Sequence, residues 1–172
     1  MLRLLALSAT SVAMLIGCNK EPYVELPPLL SSNLAKPVAP AEMRRTRQSV
    51  GASCNIESID RAAFADQPLS VPKGDIVVNG WLLPEISHKA VLRAGLRFLN
   101  EAGTAGWQAS ISRWVSREDV LTAMKAPDGG DTGFGEYVDT RAIPPGSYRL
   151  LIVFDDGGIG YLCDKNRKVV VQ

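Results

Sequence analysis

The feature that most constrains the fold is the way the chain is divided from Asp75 onward. Short apolar runs alternate with turns rich in glycine, proline and aspartate. Ser147 to Phe154 is the clearest run, with Leu150, Leu151, Ile152, Val153 and Phe154 in succession, and Asp155-Asp156-Gly157-Gly158 follows it as a hairpin turn. Ile76 to Leu83 is a second run, stopping at Pro84. Trp107 to Val115 alternates with period two, which predicts one strand with Trp107 and Trp114 on opposite faces. Ala90 to Leu99 reads as a strand bounded by Asn100 to Gly103, with helix as the rival reading. Phe134 to Asp139, Ile159 to Cys163 and Lys168 to Val171 are further short strands. Two helical pieces are expected: a turn over Asp60 to Phe64, and a helix capped by Ser116, with Asp119 in the capping-box position, that Pro127 ends. Many short strands, Gly/Pro turns and one short helix predict a mainly β chain folded as an all-β sandwich.

Ahead of this region the composition changes twice. Residues 1–17 carry one charge, Arg3, then an apolar run from Leu4 to Leu15 that is too short to span a bilayer. Residues 18–50 hold Pro22, Pro27, Pro28, Pro37 and Pro40, and are expected to form a disordered tether, because proline fixes φ and removes a backbone donor. The basic cluster of Arg44, Arg45 and Arg47 reads as the solvated end of that tether. The sandwich is placed at 51–172.

Leu15-Ile16-Gly17-Cys18 resembles the lipobox of bacterial lipoproteins. The resemblance implies cleavage after Gly17, acyl chains (palmitate among them) on Cys18, and attachment to a lipid bilayer. Asn19 stands where an aspartate commonly retains such proteins in the inner membrane, so the same resemblance implies an outer-membrane destination. It also accounts for an odd cysteine count. With Cys18 acylated, Cys54 and Cys163 remain as a pair, and the oxidising periplasm predicts a disulfide between them.

Gly80-Trp81, Arg117-Glu118-Asp119-Val120, Gly133-Phe134 and Pro144-Pro145-Gly146-Ser147-Tyr148, in that order, resemble small immunoglobulin-like modules of bacterial envelope proteins. That resemblance covers about 75–171 and implies a non-catalytic accessory or binding fold.

The candidate chemistry is sparse. His88 is the sole histidine and reads as a surface-loop residue. One histidine and no spare cysteine pair leave too few ligands for an ordinary zinc site. Asp128, Asp131, Asp155 and Asp156 lack calcium-loop spacing and read as turn residues. No metal or cofactor is expected. Removing residues 1–17 takes Lys+Arg from 19 to 18 against 18 Asp+Glu, so the mature chain has zero formal charge and nothing steers it to nucleic acid. Trp81 reads as core. Trp114, beside Arg113 and Arg117, is the candidate partner-binding surface. The expected function is a membrane-anchored envelope lipoprotein that binds a protein or glycan partner. The alternatives are an envelope hydrolase and a purely structural or surface-exclusion lipoprotein.

Overall fold

The computed structural model describes residues 33–45, 47–48, 52–85, 87–91 and 93–172. Cys18 and the rest of residues 1–32 lie outside them. Thirteen strands and two short helices are described: β1 (Asn33–Leu34), β2 (Lys36–Pro37), α1 (Pro40–Arg45), β3 (Arg47–Gln48), β4 (Ala52–Ile59), β5 (Ala62–Ala63), β6 (Leu69–Val71), β7 (Asp75–Pro84), β8 (Ala94–Asn100), β9 (Gly106–Ile111), β10 (Trp114–Val115), α2 (Glu118–Ala123), β11 (Gly133–Asp139), β12 (Gly146–Asp156) and β13 (Ile159–Val171). They form two sheets. The first runs β1-β11-β7-β4-β5, with β10 also on β11. The second runs β2-β9-β8-β12-β13-β3, with β6 also on β13. The long strands pair antiparallel, and the chain changes sheet between β7 and β8, between β9 and β10, and between β11 and β12.

This is a β-sandwich with the strand order of immunoglobulin-like domains, three long strands facing four. A tyrosine corner reinforces that order. Tyr148, near the start of β12, donates its hydroxyl to the Pro144 carbonyl at 2.8 Å, and its ring meets Trp107 edge-on at 5.7 Å. Ile76, Val78, Leu82, Phe98, Leu150 and Ile152 line the interior and are fully buried. Each such side chain contributes about 1.5–3 kcal/mol. As the sequence pattern predicts, β12 is central, lying between β8 and β13.

Cys54 on β4 and Cys163 on β13 are joined by a disulfide, with Cα atoms 6.5 Å apart. The bond links the two sheets along one side of the sandwich.

Several local expectations are corrected. Residues 33–45 and 47–48 are not an unstructured tether. β1 pairs with β11 in one sheet and β2 with β9 in the other, so the chain bridges the side where those strands lie. Ala35 is fully buried between them and donates its N–H to the Asp139 carbonyl at 3.0 Å. The segment then carries α1 across to β3, which pairs with β13 at the opposite edge. Proline composition misled here because a two-residue edge strand tolerates a missing donor, and Pro37 occupies such a strand.

Trp107 to Val115 is not one strand. It breaks at Ser112–Arg113, where the chain passes from β9 in one sheet to β10 in the other. Ala90 to Leu99 becomes strand only at Ala94. The expected helical turn at Asp60 to Phe64 is instead a hairpin. Asp60 and Arg61 have φ of 47° and 70°, and Ser58 and Ile59 pair with Ala63 and Ala62. Ile159 to Val171 is one strand with an irregularity at Asp164–Asn166 rather than two strands. At the Gly157–Gly158 turn, φ values of 65° and 83° agree with the predicted hairpin.

Helix α2 starts one residue later than expected. Arg117 is the N-cap, no side chain caps it, and Ser116 takes no part. Its C-terminus is closed before Pro127 by two backbone bonds, Lys125 N–H to Thr122 O and Ala126 N–H to Leu121 O, with Lys125 at φ 53°. A non-glycine residue at positive φ costs about 1 kcal/mol. Lys125→Gly and Arg61→Gly are therefore each expected to raise stability by about 0.5–1 kcal/mol, read as a higher urea midpoint.

Candidate functional site

The three residues singled out as a partner-binding surface are engaged within the fold. Trp114 is half-buried against the core and meets Phe134 edge-on at 6.0 Å. Arg113 lies over the Tyr137 ring at 5.4 Å, with its Nη1 buried and without a hydrogen-bond partner. Arg117 reaches two carboxylates at once. Its Nη1 and Nη2 donate to Glu57 at 2.9 and 3.1 Å, and its Nε and Nη2 donate to Asp119 at 2.8 and 2.7 Å. This network fixes the start of α2 onto β4. The sequence reading assumed a regular strand, and the break at Ser112–Arg113 removes the parity argument that turned Trp114 outward. Trp81, expected in the core, lies on the outward-alternating side of β7 and is half-buried. His88 is exposed in the loop after β7, and its N–H donates to the Pro84 carbonyl at 3.0 Å.

The Arg117 hydrogen bonds hold the Asp119 carboxyl down at about 2. The Arg141 hydrogen bonds likewise hold the buried Asp139 carboxyl below its usual range. Depressed folded-state values stabilise the fold above the unfolded carboxyl pKa of about 3.9. That stabilisation is lost as the pH falls through the folded values, toward about 2 for Asp119. The urea midpoint is expected to drop between pH 5 and about 2.5, and Arg117→Met is expected to flatten part of that drop.

A different region offers a concave surface. A groove of about 750 Å³ opens at one end of the second sheet, where the β7–β8 loop meets the β12–β13 turn. Its floor is the outward side of β8, β9 and β12, and α1 forms one wall through Glu42. Gly95 keeps the floor flat, because a Cβ there would stand 2.8 Å from the Ala109 carbonyl oxygen. Arg93, with its side chain 82% exposed, stands 4.0 Å from Asp155, and their backbones are joined by a 3.0 Å bond from Asp155 N–H to Arg93 O. Ile159, one of the exposed large apolar side chains, and Tyr161 form the rim on the β13 side.

Arg97 is the charged group set deepest in this groove. Its side chain is 4% exposed, and Nε and Nη2 both donate to Gln108 Oε1, at 3.0 and 2.7 Å. Glu42 Oε1 accepts from Nη2 at 3.4 Å. Burial pulls the Arg97 pKa below its usual value, and the Glu42 charge opposes that shift. The alternation Leu96-Arg97-Phe98 was the available signal for an outward arginine. Its burial is not readable from the alternation, because its partner Glu42 lies in the proline-rich stretch that the sequence marks as a tether.

Among the described residues, no group of three or more His, Cys, Asp or Glu is placed to hold a metal ion, and no helix is long and apolar enough to cross a membrane. Compared with known proteins, the chain matches no family model, no curated sequence and no solved structure.

Proposed function

We propose that the chain is an envelope lipoprotein, held to the outer membrane by acylated Cys18, whose sandwich domain binds a protein or glycan partner without catalysing a reaction. The observation that carries the binding reading is the groove of about 750 Å³ between the β7–β8 loop and the β12–β13 turn. The corresponding loops of immunoglobulin variable domains form their recognition end, an analogy of fold. The Cys54–Cys163 bond supports an oxidising compartment, and Leu15-Ile16-Gly17-Cys18 supports the anchor.

The test uses the full chain in a diderm host. Fatty-acid label is expected on wild type and absent from Cys18→Ser, and Asn19→Asp is expected to move the protein to the inner-membrane fraction. A photo-crosslinking residue at Ser110, in the groove, is expected to trap an envelope component that the same residue at exposed Asp66 does not. Label on Cys18→Ser overturns the anchor. Equal trapping from both positions overturns the groove.

A further inference from the structure

We infer that a second cavity, of about 390 Å³ on the outer face of the second sheet, is a site for a short zwitterionic peptide of dipeptide size, with Arg149 and Lys168 taking its carboxylate and Glu101 its ammonium group. The cavity lies toward the start of β12, whereas the groove lies toward its end, so the two sites stand or fall separately.

Strand register places the cations. Tyr148 and Leu150 belong to the core, so Arg149 between them faces outward. Lys168 stands directly opposite it on β13 and is exposed. Like charges in that relation repel and destabilise a sheet. Among the described residues, one contact offsets the repulsion: Arg149 Nη1 donates to Asp164 Oδ2 at 2.7 Å. Arg149 Nε and Nη2 have no partner among those residues and are not sealed from solvent, and Lys168 has no partner among them either. Asp164 also fixes the local backbone. Asp164, Lys165 and Asn166 stand against Leu151 alone, and Asp164 Oδ1 accepts the Asn166 N–H at 2.7 Å, with Asn166 at φ 55°. One aspartate thus sets both the bulge and the guanidinium. It leaves two guanidinium nitrogens beside an ammonium group, an arrangement that takes both oxygens of one carboxylate.

The β8 side of the cavity is acidic. Glu101 follows β8, whose last residue, Asn100, stands opposite Tyr148. The turn that carries Glu101 is held by Asn100 Oδ1, which accepts the Thr104 and Ala105 N–H groups at 2.9 and 3.1 Å. Glu101 is exposed and has no partner among the described residues. β8 and β13 flank β12, so Glu101 and Lys168 rise from positions two strand spacings apart across the sheet, about 10 Å. A dipeptide spans about 7 Å, and side chains of this length cover the remainder. The Ser147 hydroxyl and the Asn166 amide also line the cavity and suit the peptide bond, as uncharged donors and acceptors. A saccharide with one acidic group leaves Glu101 unanswered, and a phosphate brings a second negative charge toward it. A peptide with both termini free answers the two sides at once.

The experiment is a calorimetric titration of the full-length, detergent-solubilised protein with alanyl-alanine, its C-terminal amide and its N-acetyl form. Wild type is expected to bind alanyl-alanine, and to bind each blocked form at least about tenfold more weakly, because each loses one charge-assisted contact. Lys168→Met is expected to weaken alanyl-alanine about tenfold and to leave the amide unmoved. Glu101→Gln is expected to weaken alanyl-alanine about tenfold and to leave the N-acetyl form unmoved. Both residues are exposed, so neither change disturbs the core. No binding of alanyl-alanine by wild type overturns the inference. So does binding of either blocked form as tight as that of alanyl-alanine, or an unchanged alanyl-alanine affinity in either variant.

Discussion

Replacing both Cys54 and Cys163 by alanine is expected to lower the stability of the domain by about 2–5 kcal/mol, a drop of roughly 5–15 °C in Tm. The bond closes a loop with a sequence separation of 109, so its removal returns a large conformational freedom to the unfolded chain. Both residues are also buried, at 3% and 5% exposure, and belong to the core cluster, so each alanine leaves a small void. The domain is still expected to fold, because β7, β8, β11 and β12 pair with one another or with β4, β9 and β13 independently of the bond. Thermal unfolding of wild type and of the double variant, each with and without reductant, measures the effect. Reductant is expected to bring wild type down toward the double variant, stopping short of it by the cost of the two voids, and to leave the variant unmoved. An unchanged Tm in the variant would show that the bond forms without stabilising.

Glu136→Ala is expected to cost about 2–4 kcal/mol, and Glu136→Gln distinctly less. Glu136 is 3% exposed and stands opposite Val78, so it points to the same face as that core residue. One carboxylate oxygen, Oε2, accepts from the Ser112 N–H at 2.7 Å, the Ser112 hydroxyl at 2.9 Å and the Arg113 N–H at 3.3 Å. Those donors sit where the chain leaves β9 for β10 and belong to neither ladder. Alanine removes their acceptor and leaves part-buried donors to find other partners, whereas glutamine keeps an amide oxygen there. Urea unfolding of the two variants beside wild type separates loss of the acceptor from loss of the charge. Equal costs for alanine and glutamine would show that the charge, not the acceptor, holds the crossing.

The sandwich was legible because its signals are local. The Leu150 to Phe154 run, the Gly157–Gly158 turn and the Pro144–Gly146 corner each declare themselves within a few residues. The features that were not legible depend on contacts remote in sequence. Glu136 sits in a segment whose pattern reads as ordinary strand, and nothing in it announces the crossing at Ser112 some two dozen residues earlier. Trp81 sits in an apolar run, yet alternation along β7 turns Leu82 inward and Trp81 outward. Arg97 is visible as an outward residue, but its ion-pair partner Glu42 lies in a stretch whose prolines argue against structure. Arg113 and Arg117 gave no sequence sign that Tyr137, Glu57 and Asp119 would occupy them.

The position of the disulfide also determines how the domain carries load. A pull from the N-terminal side, resisted by something held against the second sheet, first meets the short pairings of residues 33–48 and can peel them one at a time. About twenty residues then pay out before the strain reaches Cys54, a fully stretched length of about 70 Å. There the force leaves the backbone and crosses the sulfur bridge to β13. The chain between Cys54 and Cys163 cannot be drawn out end to end while the bridge is intact. The N-terminal segment thus acts as an extensible leash, and the bridge sets the stop at its end.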